Sequence, residues 1–115
     1  MRLLLIHADY LEFEVKQPTP AAEEVSKELR SGRADEVVVA FAAVEEEDES
    51  DSEAVASNSA REISNICRQV KAKRVVLYPY AHLSSSLASS AVAIKVLDAV
   101  RDNLRAQDFE VLRLP

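Results

Sequence analysis

The stretch EVVVAFAAV, Glu36 to Val44, is apolar at every position after its first. A run this rich in valine, with no polar alternation, describes a strand buried on both faces. A second run of the same kind, RVVLYPY (Arg74–Tyr80), lies further along. Between them Ile63, Ile66, Cys67 and Val70 fall at helical spacing, and the helix they predict ends near Lys71–Lys73. After the second run, Ala93, Leu97, Val100 and Leu104 mark another long amphipathic helix, and FEVLRLP alternates into a last strand. Buried strands separated by helices require crossover connections, which are right-handed by default, so the chain is expected to be a layered α/β protein.

The N-terminal third adds to this frame. LLLIH (Leu3–His7) reads as a buried strand, and in YLEFEV the apolar Leu11, Phe13 and Val15 alternate with Glu12 and Glu14. The loss of pattern at Ala8-Asp9 predicts a hairpin between two strands. QPTPAAEEVSKELRSG then reads as a loop and a short peripheral helix. Thr19 serves as its cap, Pro20 as its first position, Ala22, Val25 and Leu29 as its thin apolar face, and Gly32 as its stop. The expected order is β-β-(α)-β-α-β-α-β, with two long helices packed on a mixed sheet. At 115 residues the chain is read as a single domain. EEEDESDSE (Glu45–Glu53) reads as a solvated acidic loop whose Ser50 and Glu53 form a capping box for the next helix.

Composition removes several function classes. There is one glycine in the chain, whereas phosphate-cradling loops of the P-loop and dinucleotide types need several. A net charge of −6 argues against holding nucleic acid by phosphate neutralisation. Aromatic residues make up 5% with no tryptophan, which is poor material for a base-stacking platform. Cys67 is the one cysteine, so no disulfide closes within the chain, and a reducing compartment is expected. The apolar start of the chain is too short for a signal-peptide core or a membrane span, so the expected location is cytoplasmic and away from membranes.

The segment YPYAHLSSS (Tyr78–Ser86) is the most suggestive local feature. It ends a predicted inner strand in a proline, aromatic residues, His82 and serines, at the sheet end where α/β proteins commonly place their sites. His82 is therefore a candidate ligand contact, while His7, ending its strand beside Asp9, reads as a structural residue. A serine nucleophile drawn from Ser84, Ser85 or Ser86 with His82 as base is disfavoured: near neighbours in sequence seldom reach the required geometry, and no G-x-S-x-G elbow is present. The simpler reading of these serines is helix capping. Cys67 sits in an apolar stripe and reads as a buried structural thiol. Two histidines and one cysteine make no metal-ligand set. The basic residues Arg68, Lys71, Lys73 and Arg74 are accounted for by the helix dipole, with an RNA contact as the alternative.

Three stretches together, LLLIHADYLEFE, VAFAAVE and VVLYPYAHLSS, resemble the N-terminal editing domain of archaeal-type threonyl-tRNA synthetases. That family is similar in fold to D-aminoacyl-tRNA deacylases, and the resemblance runs over essentially the whole chain. It implies proofreading hydrolysis of L-serine wrongly attached to threonine tRNA. A synthetic site that holds threonine cannot strongly reject a side chain one methyl smaller, so a second site must remove it. The resemblance places Pro79, Tyr80, Ala81 and His82 in one wall of the pocket, acting largely through main-chain groups, with Val44 opposite. It implies catalysis by a positioned water and an RNA hydroxyl, His82 orienting or binding, and no cofactor for editing. The implied partners are the seryl-tRNA 3′ end with its terminal adenosine, the remainder of the synthetase, and a second copy of the domain.

In the family the sequence continues beyond the equivalent of Leu114-Pro115 with a glycine–aromatic–lysine segment, a further strand and a glutamate that help to form its site. Residues 1–115 stop before that segment, so on this reading they deacylate poorly alone, leave a sheet edge open and favour association. The reading from a different class is a non-catalytic α/β interaction or dimerisation module.

Overall fold

The computed structural model describes residues 1–14 and 31–114. The expected peripheral helix, with Thr19, Pro20, Ala22, Val25 and Leu29, lies outside the described residues. The described elements are β1 (Arg2–Glu14), β2 (Ser31–Ala43), α1 (Ser52–Val70), β3 (Arg74–Pro79), α2 (Ser90–Ala106) and β4 (Glu110–Arg113), with short 3-10 turns before α1 and after β3. The strands form one sheet in the order β1-β2-β3-β4. β1 runs antiparallel to β2, while β2, β3 and β4 are parallel. The expected α/β mixed sheet with two long helices is therefore what the chain forms.

Because the parallel strands are laid down in consecutive order, both crossovers put their helices on the same face of the sheet. Val38, Ala40 and Ala42 of β2, with Val75 and Leu77 of β3, pack there against Ile63 and Cys67 of α1 and Val96, Val100 and Leu104 of α2. The other face carries a smaller cluster around Val37, Val39, Val76 and Leu114. Valines on both faces are why these two inner strands read as unbroken apolar runs rather than alternating ones.

The N-terminal hairpin is corrected. Arg2 to Glu14 is one strand, paired along its length with β2 from Arg2 opposite Ala43 to Glu14 opposite Ser31. At Asp9 and Glu36 the ladder skips a pair, and Glu36 takes a left-handed backbone angle, φ 45°. The side-chain alternation slips there in both strands. Leu3 and Leu5 pack on the helix-covered face, whereas Ala8, Leu11 and Phe13 all pack against the opposite cluster. The lost period at Ala8-Asp9 thus marks a kink within a strand, not a turn.

Gly32 does not stop a helix but lies in β2, opposite Phe13. A Cβ at that position would stand 2.8 Å from Phe13 Cζ, so the missing side chain makes room for the ring. The cap of α1 also differs from expectation: Asp51, not Ser50, accepts the Ala54 amide at 3.2 Å. Lys71 ends that helix in the left-handed conformation, and the next amide, Ala72, returns to the Cys67 carbonyl. At α2 the cap is Ser89, which accepts from the Val92 amide, so Ser84–Ser86 do not cap it.

Candidate functional site

The C-terminal ends of β2 and β3 lie side by side, with Ala42 in register with Pro79. Pro79 brings no amide to the ladder, but Tyr80 N–H still donates to the Ala42 carbonyl at 2.9 Å. The chain then turns through a single 3-10 turn, Ala81–Leu83, closed by Leu83 N–H to the Tyr80 carbonyl and Ser84 N–H to the Ala81 carbonyl. The amides of Ala81 and His82 open this turn and meet no acceptor among the described residues. Tyr80, Ala81 and His82 are exposed and Pro79 is half-buried.

From Ser84 the loop doubles back along the segment that follows β2. Glu46 N–H donates to the Ser86 carbonyl and Ala88 N–H to the Val44 carbonyl, both at 2.9 Å, around a bridge between Glu45 and Leu87. Ser84 Oγ donates to Glu45 Oε2 at 2.7 Å and accepts from the Ser86 amide at 3.1 Å. Behind Glu45, Asp48 is buried. Its carboxylate accepts from the Met1 ammonium and from the Glu45 amide, each at 2.7 Å. Arg2 Nε lies 3.4 Å from Glu45, and its Nη1 donates to the Leu83 carbonyl at 3.5 Å.

The residues singled out from sequence therefore converge on one end of the sheet, with a distinction among them. Pro79–His82 form an exposed irregular edge. Val44 is the first residue after β2, but its side chain is buried in the helix-side core and its carbonyl is taken by Ala88. Neither the side chain nor the carbonyl of Val44 is therefore free at that edge. Aromatic rings line the face away from the helices: Phe41 and Tyr78 have centroids 5.1 Å apart, and Tyr80 stands edge-on to Phe41 at 5.7 Å. The His82 ring is edge-on to Tyr80 at 5.4 Å. Neighbouring Leu4 and Ile6 of β1 are also exposed.

His82 has no serine partner among the described residues, because the Ser84 hydroxyl is engaged by Glu45. His7 lies within β1, exposed, opposite Val38. Cys67 is fully buried, and burial pushes its thiol pKa up against a smaller opposing pull from Arg68. No group of three or more potential metal-ligating side chains occurs among the described residues. The basic cluster sits at the other end of β3, where Arg74 pairs with Glu110 at 2.9 Å and Arg68 donates to Gln107. A cavity of about 380 Å³, lined in part by Arg33, Asp35, Arg74 and Glu110, opens at that end too.

Sequence reasoning missed Glu45 and Asp48, which lay inside a run read as solvated. A signal was available: parallel neighbours end together, so the loops after Val44 and after Tyr80 must meet.

Comparison with known proteins decides the family. Residues 1–115 match the archaea-specific editing domain of threonyl-tRNA synthetase. The chain belongs to that family. It is 53% identical over its whole length to a threonine–tRNA ligase of Methanothrix thermoacetophila. It is 45% identical to one from Methanococcoides burtonii and 47% identical to one from Thermococcus gammatolerans, again over the full chain. In each case it spans 18% of the relative's length. Editing of aminoacyl-tRNA is therefore the role of the family to which this domain belongs. Among the described residues no helix is long and apolar enough to cross a membrane.

Proposed function

We propose that this editing domain hydrolyses L-seryl-tRNA(Thr) at the exposed edge formed by Pro79–His82. The observation that carries the reading is the turn at Ala81–Leu83. It leaves consecutive amides without internal acceptors at the end of two inner parallel strands, beside an exposed histidine. Such amides are donors for the carbonyl of an aminoacyl ester and for the negative charge that grows on it as water attacks. Water adds to the ester carbonyl, the ribose oxygen leaves with a proton, and the products are serine and deacylated tRNA. His82 orients the substrate or the water, the RNA hydroxyl assists, and no cofactor is required.

A wall made by backbone discriminates by shape, because it cannot rotate away from an added group as a long side chain can. The extra methyl of threonine meets that wall, whereas the seryl ester fits. One methylene in a closed pocket is worth about 1–3 kcal/mol, roughly 10–200-fold in rate. The domain's net charge of −6 fits a division of labour in which the remainder of the synthetase grips the tRNA and only the terminal adenosine and its amino acid reach this site. The exposed Leu4, Ile6 and Tyr80 suit contact with a second copy, making the domain a homodimer.

The test is single-turnover deacylation of seryl- and threonyl-tRNA(Thr) by the full-length protein that carries this domain, with sedimentation of the same sample. Seryl ester should be cleared at least about tenfold faster. Equal rates for both esters, or no hydrolysis of either, would overturn the reading in favour of an interaction module.

A further inference from the structure

Resting on the seryl-editing reading, we propose that the Ser84–Glu45 hydrogen bond is a clasp that fixes the spacing between the loop after β2 and the turn that carries Ala81 and His82. Glu45 and Ser84 are then positioning residues for the choice of serine over threonine. Glu45 follows Val44 directly, in the loop after β2, and Ser84 lies two positions beyond His82, at the end of the turn after β3. The 2.7 Å bond between them is the shortest side-chain link joining these loops among the described residues; Ser89 N–H to Glu49, at 3.4 Å, is longer. A hydroxyl donating to a carboxylate is about twice as strong as a neutral pair, as its short length reflects.

Both partners are held from behind. The Glu45 side chain is 13% exposed and faces the Met1 ammonium at 3.7 Å and Arg2 Nε at 3.4 Å, while its own amide is tied to Asp48. Ser84 is fixed by its amide to the Ala81 carbonyl, so displacement of Ser84 is passed directly to the turn that carries Ala81 and His82. Its hydroxyl oxygen is also an acceptor for the Ser86 amide, which commits the proton to Glu45. A serine so engaged is a brace, and its value lies in distance. A methyl is excluded only if the wall stays put, and misplacement on the order of 1 Å changes rates by about a hundredfold.

The experiment uses the full-length protein with Ser84→Ala, Glu45→Ala, the double variant and Ser84→Thr, measuring kcat/KM for seryl- and threonyl-tRNA(Thr). Each alanine variant should lower the seryl-to-threonyl ratio by about tenfold, chiefly by speeding threonyl hydrolysis, which is the signature of a loosened site rather than a damaged one. The double variant should be no worse than either single, since both remove one interaction. Ser84→Thr, which keeps the hydroxyl, should keep the ratio. An unchanged ratio in both alanine variants, or rates for both esters falling in parallel, overturns the clasp. Hydrogen exchange separates this from failure of the editing reading. If the unaltered protein shows no seryl preference, the editing reading and the specificity role fall together. Faster exchange at the Glu46 and Ala88 amides in Ser84→Ala then still reports a clasp, and unchanged exchange removes it.

Discussion

The two ends of the inner parallel strands are built on different principles. At the end where β3 and β4 begin, Arg33, Asp35, Arg74 and Glu110 are joined by exposed ion pairs, and an Arg33 guanidinium stacks 4.3 Å over Tyr10. At the end where β2 and β3 finish, backbone bonds join one loop to the other, and the charged groups behind them, Asp48 and the Met1 ammonium, are nearly sealed from solvent. Exposed pairs are screened by water and salt and contribute little each, whereas a sealed carboxylate accepting two donors is costly to remove. Positional accuracy is therefore concentrated at the end where the candidate site lies.

Substitutions can break or sharpen that contrast. The largest expected effect is at Asp48. Asp48→Ala removes the close partner of the nearly sealed Met1 ammonium, leaving it Glu45 at 3.7 Å, and strands the Glu45 amide, and it should lower the unfolding free energy in urea by about 2–3 kcal/mol. A loss no greater than at an exposed ion pair would erase the distinction between the ends. Next is His82→Ala. Because this side chain is exposed and makes no ion pair among the described residues, unfolding should be unchanged, while seryl-ester hydrolysis falls by about tenfold, or 1.4 kcal/mol. Full activity in this variant would remove histidine from the site. The smallest effect belongs to Arg74→Ala at the far end, within about 1 kcal/mol in stability and with deacylation unchanged. A large drop in deacylation there would relocate the site toward the cavity beside Arg74.

How much of this was legible depended on how local the cause was. β2, β3, β4 and both long helices were readable because burial on one or both faces writes a period into neighbouring residues. The end of α1 near Lys71 was readable for the same reason. Asp9 was misread because a kink and a turn both interrupt alternation, and only the partner strand, with Glu36 opposite, tells them apart. Gly32 was misread because the Phe13 ring that explains it comes from another strand. The irregular edge Pro79–His82 was visible as an odd strand ending. Its link to the neighbouring loop was not: Glu45 and Ser84 are separated by 39 positions, and an acidic run gives no local hint that one carboxylate turns inward.

The paired breaks at Asp9 and Glu36 also govern how this ribbon tolerates a change of length. Above and below them the two halves of β1 show their apolar edges to opposite sides, yet the pairing sum is the same throughout, from Arg2–Ala43 to Glu14–Ser31. Losing His7 alone, with the second half of the strand held in register, would turn Leu3 and Leu5 outward and bring Leu4 and Ile6 under the helices. Losing one residue from each strand at the skipped pair, Asp9 with Glu36, would instead preserve every other partnership in the ladder. An alignment gap in one of these strands should therefore be answered by a gap in the other, and this pair is where such gaps are cheapest.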